Sequence, residues 1–161
     1  MKIEIANLTK NSVNKKYFQE IGEVVLRRIK QPQNVEVSLV FVGDARMKNL
    51  NRTYRNIDKT TDVLSFCYED KKISFNPPFL KEKNLSPLFN GGSGGILGEI
   101  VISIPQAKKQ ARQRGYPLKR ELSELFVHGI LHLVGYDDER EEDYNIMIEK
   151  QEEILAYLST K

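Results

Sequence analysis

The order of apolar and polar positions divides the chain into alternating short strands and helices, followed by two long helices. Alternation in KIEIAN (2–7) predicts a first strand, and VNKKYFQEIGEVVLRRIK (13–30) sets Val13, Phe18, Ile21, Val25 and Ile29 at helical spacing. QPQN (31–34) breaks the chain, and VEVSLVFVG (35–43) then reads as a buried strand ending at Gly43 and Asp44. Asp44 is suited to cap a helix over ARMKNLNRTYRN (45–56). TDVLSFCY (61–68) and LGEIVIS (97–103) are further strands. IPQAKKQARQRG (104–115) opens a helix with Pro105 in its first turn and closes it at Gly115.

The last third is helical. PLKRELSELFVHGILHLVG (117–135) is apolar at Leu122, Leu125, Phe126, Ile130, Leu133 and Val134, so it is expected to be the most buried helix, with Gly135 as its left-handed cap. EREEDYNIMIEKQEEILAYL (139–158) returns as an amphipathic helix with Ile146, Met147, Ile154, Leu155 and Leu158 inward. Between the strands ending near 68 and starting near 97, residues of about 69–96 hold NPP, SP and GGSGG, a composition that predicts a flexible loop rather than a second domain. The expectation is one α+β domain over 1–161, a small mixed β-sheet packed with helices.

Composition adds little to that fold but narrows the setting. With 161 residues, 40% hydrophobic and 29% charged, the chain can bury one core without staples and is neither disordered nor fibrous. A lone cysteine, Cys67, forms no internal bridge and is expected to be a buried, inert thiol in its apolar run. MKIEIANLTKNS lacks a secretory layout and no apolar run is long enough to span a bilayer, so the expected setting is cytoplasmic with no membrane partner. Net charge is +3 but uneven: residues 108–120 carry six basic and no acidic residues, whereas acidic residues dominate from Glu121 to Glu153. Such a patch suits either a polyanionic partner or a solvated helix face, and charge alone favours the latter.

Both histidines of the chain lie in HGILHLVGYDDE (128–139). His128 and His132, at i and i+4, project from one helix face and can meet at one metal ion. Gly135 then turns the chain, and Asp138 can return a carboxylate, giving two histidines, one carboxylate and an open position for water, the pattern of catalytic zinc sites. Asp137 and Glu139 compete for the third position. The zincin version of this spacing, H-E-x-x-H, uses its glutamate as general base; here that slot is Gly129, which counts against a metallopeptidase.

The string ELFVHGILHLVGYDD (124–138) resembles the signature of the YbeY family of metal-dependent endoribonucleases and ribosomal RNA maturation factors, H-G-x-L-H-L-x-G-Y-D-H. LNRTYRNIDKTTDVLSF (50–66) and LGEIVISIPQAKKQA (97–111) are similar to two further family segments, in the same order. The resemblance implies a single-strand-specific endoribonuclease acting in 16S ribosomal RNA 3′-end maturation and ribosome quality control. It implies one Zn2+ at His128, His132 and position 138, and a functional arginine at Arg55. It also implies as partners single-stranded ribosomal RNA, the small ribosomal subunit with its proteins, and an assembly GTPase. The family places histidine at 138 and this chain has Asp138; a carboxylate there leaves the ion less positive and admits another divalent transition metal. Thr60 and Cys67 stand where the family usually has proline, and Glu99 where it usually has aspartate. Arg55 would grip a phosphate in bidentate fashion, or, in the plainer reading, pair with Asp58 or Asp62. No general base stands out among Glu99, Asp137 and Glu139. The alternative function is a ribosome-assembly or RNA-binding factor whose metal is structural, and a metallopeptidase ranks last.

Overall fold

The computed structural model describes residues 2–31, 34–67 and 95–160. In chain order these form β1 (Lys2–Asn7), α1 (Lys15–Arg28), β2 (Glu36–Val42), α2 (Asp44–Arg55), β3 (Val63–Cys67), β4 (Ile96–Ser103), α3 (Ile104–Arg114), α4 (Leu118–Leu133) and α5 (Glu141–Ser159). The expected loop at about 69–96 lies outside the described residues except for Gly95 and Ile96, the latter opening β4.

The sheet runs β1-β2-β4-β3, with β1, β2 and β4 parallel and β3 antiparallel to β4. Its central strands are buried on both faces, which is why β2 and the end of β4 read as continuous apolar runs rather than as alternation. On one face Val37, Leu39, Phe41, Ile100 and Ile102 meet α1, α4 and α5 in the main core. Phe18 sits edge-on to Phe41 and Phe126, with ring centroids 5.3 and 6.1 Å apart, tying α1 to β2 and α4. On the other face Val40, Val42, Leu64 and Val101 meet Met47 and Leu50 of α2 in a smaller core. The mixed α+β architecture expected from the sequence is therefore the one observed.

Gly129 explains how closely α4 lies on the sheet. A Cβ at this position would stand 2.7 Å from Ile100 Cγ2, so α4 rests its backbone on β4, and position 129 faces the sheet rather than the side that carries the histidines. A glutamate of the zincin kind could not occupy it, which removes the structural basis for the metallopeptidase reading.

Three expectations need correction. Ile146 is not inward but 57% exposed; the inner stripe of α5 runs through Met147, Gln151 and Ile154, and Ile146 is a step of about 100° away from it. Cys67 is exposed at the end of β3 rather than buried, with Sγ 3.4 Å from the Leu133 carbonyl. The N-cap of α2 is Gly43, not Asp44.

Asp44 instead uses its carboxylate to join elements. It accepts bonds from Ser103 Oγ at 2.8 Å, Gln106 Nε2 at 3.0 Å and Thr60 Oγ1 at 3.2 Å, tying the start of α2 to the start of α3 and to the segment before β3. Partial burial pushes its carboxyl up, but these three bonds outweigh that and hold it below the usual value of 3.8. A depressed acid stabilises the fold above its unfolded value and loses that contribution as pH falls through the folded one. Asp44→Ala is expected to lower stability at neutral pH by about 2 kcal/mol, with the difference from wild type shrinking below about pH 4. Urea melts of both proteins across that range check it.

Candidate metal centre

The end of α4 is shaped by a turn that also builds the site. Gly135, at φ 94°, lets its N–H reach the His132 carbonyl at 3.0 Å and the Tyr136 N–H reach the Leu131 carbonyl at 3.0 Å, the paired bonds of a Schellman cap. The same turn brings the Tyr136 carbonyl to 3.0 Å from His132 Nδ1. A carbonyl can only accept, so Nδ1 carries the proton and the Nε2 lone pair is free. On His128, Nδ1 stands 3.1 Å from Gln151 Oε1 of α5, which assigns the same tautomer.

The two Nε2 atoms then face each other at 3.0 Å. Two lone pairs at that distance repel unless a cation lies within reach of both, so this donor set suits a metal ion. Asp138 Oδ2 is 3.6 Å from His132 Nε2 and 4.0 Å from His128 Nε2, and the three ligand atoms lie within 4.8 Å of one another. Asp137 is occupied otherwise: its Oδ1 accepts the backbone N–H of Asp138 at 2.7 Å and of Glu139 at 3.2 Å, fixing the turn. Of the three competing acidic residues, Asp138 is thus the one brought to the histidines.

The imidazoles are partly covered, with side chains 23% and 27% exposed, and Asp138 is 43% exposed, so the site opens to solvent on one side. Burial first, and then the neighbouring His132, hold His128 below the usual histidine range. Its lone pair therefore stays available to a metal to lower pH than that of an ordinary imidazole. Glu99 lies elsewhere: it is fully buried on the α2 face of the sheet, beside Tyr54, whose phenol is pushed up by burial and by the Glu99 charge. It is not placed to serve as a base at the histidines.

Arg55 ends α2 ahead of a left-handed turn at Asn56. It is exposed and has no hydrogen bond or ion pair with any described residue. Neither partner of the plainer reading engages it: Asp58 lies 3.6 Å from Lys48 and 3.9 Å from Arg52, while Asp62 takes Gln110 and the Val63 N–H. Asp62, a few residues on, lies near enough for its charge to act on His128. A cavity of about 590 Å³ beside the start of α2, lined by Asp44, Ala45, Lys48, Asp58, Lys59 and Thr60, includes none of the three clustered residues.

Gln151 was not singled out from sequence, yet a signal exists: it is a polar residue on the inner stripe of α5 between Met147 and Ile154. Gln151→Leu keeps the size and removes the acceptor, so metal affinity is expected to fall about 10- to 100-fold with the fold intact. Competition with a chelating dye measures it.

The family model for Endoribonuclease YbeY matches residues 3–159. The chain is 43% identical over 138 residues to the Endoribonuclease YbeY of Pelotomaculum thermopropionicum, covering 86% of this chain and 82% of the relative. It is 39% identical over 153 residues to that of Clostridium botulinum, covering 91% and 90%. The solution structure of TM1509 from Thermotoga maritima superposes with a TM-score of 0.59 at 25% identity, covering 95% of this chain and 86% of that one. With the match running through the histidine helix and its turn as well as the sheet, the chain belongs to the Endoribonuclease YbeY family.

Proposed function

We propose that this protein, acting as one domain, is a metal-dependent endoribonuclease that cuts single-stranded ribosomal RNA during maturation of the small ribosomal subunit. The observation that carries the metal is the pair of Nε2 atoms 3.0 Å apart, each imidazole held by a separate acceptor on its other nitrogen. His128, His132 and Asp138 would hold the ion; zinc fits two imidazoles and a carboxylate, as do other divalent transition metals. When bound, the ion supplies Lewis-acid polarisation of a phosphoryl oxygen or an activated water. Gln151 and the Tyr136 carbonyl keep the imidazoles turned toward it. Arg55, exposed and uncommitted among the described residues, binds the phosphate being cut and offsets its charge.

Membership in an endoribonuclease family favours RNA as the substrate, and the open side of the site suits an extended strand. Small-subunit proteins and an assembly GTPase are the partners that fit ribosome maturation. The matching setting is the cytoplasm; among the described residues no helix is long and apolar enough to cross a membrane. Purified protein is expected to cut a single-stranded RNA oligonucleotide, to leave a duplex of the same sequence intact, and to lose cleavage on chelation and regain it with zinc. Binding of RNA without any metal-dependent cleavage would instead select the assembly factor with a structural metal.

A further inference from the structure

The six basic residues of 108–120 do not form one patch. Lys108 is held by Asn11, Lys109 lies near Asp44, Lys119 covers the Tyr17 ring, and Arg120 lies over the Tyr116 ring while bonding Glu124. Arg112 is exposed on α3. Arg114 differs from all of these. Its Nη1 alone meets Tyr116 Oη at 2.9 Å, both oxygens of Glu121 at 3.4 Å and Glu124 Oε2 at 3.4 Å. Tyr116 Oη in turn donates to Glu124 Oε2 at 2.9 Å.

Two features of this cluster are not explained by helix packing alone. Glu121 has a side chain only 1% exposed, whereas Arg114, its ion partner, is 53% exposed. A buried carboxylate anchors an arginine that stands mostly in solvent, with Nε and Nη2 uncommitted among the described residues. Those two nitrogens form the edge of the guanidinium that matches two phosphate oxygens. The cluster also lies on the working face of α4: Glu121, Glu124 and His128 follow one another at i, i+3 and i+7, along a single side of the helix.

We infer that Arg114, fixed by Glu121, is a second phosphate contact for the RNA strand, about two helical turns (~10 Å) along α4 from the metal residues. Glu121 is a positioning residue: it holds the guanidinium in place, so less side-chain freedom is lost when a phosphate docks. This inference rests on the RNA-cleaving reading above and adds where the strand is gripped away from the cut.

The test measures binding of a methylated, cleavage-resistant single-stranded oligouridylate across a salt series. Arg114→Gln alone would strand a buried carboxylate, so the informative variant is Arg114→Gln with Glu121→Gln, which removes both charges together. Binding is expected to weaken about tenfold at low salt, with the slope of log affinity against log salt smaller by about 0.7, the value of one single-strand phosphate contact. Arg112→Gln removes one charge from the same segment and is expected to change affinity by less than about twofold. Should the double variant fail to fold, Arg114→Lys keeps the charge, loses the fork and is expected to bind several-fold more weakly. A folded double variant with wild-type affinity and slope, an equal loss in Arg112→Gln, or, where the lysine variant must decide, wild-type binding by it would overturn the inference and leave the cleavage reading standing. Wild-type protein that does not bind the strand at all would remove both.

Discussion

Alanine at His128 or at His132 is expected to reduce metal content from near one equivalent to none and to abolish RNA cleavage, while the circular dichroism spectrum stays that of the wild type. The reasoning starts from magnitude. Partners of a ligand, such as Gln151 here, are worth about 10- to 100-fold in affinity, so loss of a ligand itself must exceed that. Neither imidazole is deeply buried, at 23% and 27% side-chain exposure, so truncation opens no large cavity. In the metal-free protein the facing lone pairs are unfavourable, and removing one ring relieves that contact. Thermal melts separate the effects. At metal about a thousandfold above its dissociation constant the wild type gains about 4 kcal/mol, roughly 10 °C for a chain of this size, and the alanine variants gain almost nothing. Asp138→Ala keeps both imidazoles and is expected to retain weaker binding; Asp138→His restores the ligand implied by the family pattern and is expected to bind zinc at least as tightly as wild type. A wild type whose melting point ignores zinc would refute the site.

How much of this was legible beforehand depended on whether the signal was local. The pairing of His128 with His132 follows from helical spacing alone, and the return of Asp138 from a glycine turn; both are contained in twelve consecutive residues. The strands at 36–42 and 96–103 were legible because a sheet covered on both faces needs unbroken apolar runs. The inward face of α5 was read one position too wide, since Ile146 and Met147 are equally apolar and only packing on α4 chooses Met147. Asp44 fits a cap by residue type, but its true partners, Ser103 and Gln106, lie some sixty residues away. The Glu121–Arg114 pair was invisible for the same reason, and Gln151 showed only as a polar break in an apolar stripe: their meaning comes from which helix they face. Arg55 is the reverse case, a role implied by resemblance that no local pattern could supply.

Arg55→Ala is expected to slow RNA cleavage about 10²- to 10³-fold at saturating substrate while leaving metal content and stability at wild-type values. An arginine that served the fold would be engaged, and this one is not: it is exposed at the end of α2 and uncommitted among the described residues. Asp58, the nearest acidic residue in sequence, is drawn instead to Lys48 and Arg52. Loss of such a side chain changes stability by less than about 0.5 kcal/mol, chiefly through the small favourable placement of a cation at a helix C-terminus. On the proposed function its effect then falls on catalysis. Arg55→Lys keeps the charge without the planar fork and is expected to recover only part of the rate, since a point charge cannot hold two phosphoryl oxygens in a fixed plane. The metal assay keeps this role distinct from that of the ligands: a variant that loses zinc together with activity would assign Arg55 to the architecture of the site, and one that cuts RNA at the wild-type rate would leave phosphate stabilisation to the ion alone.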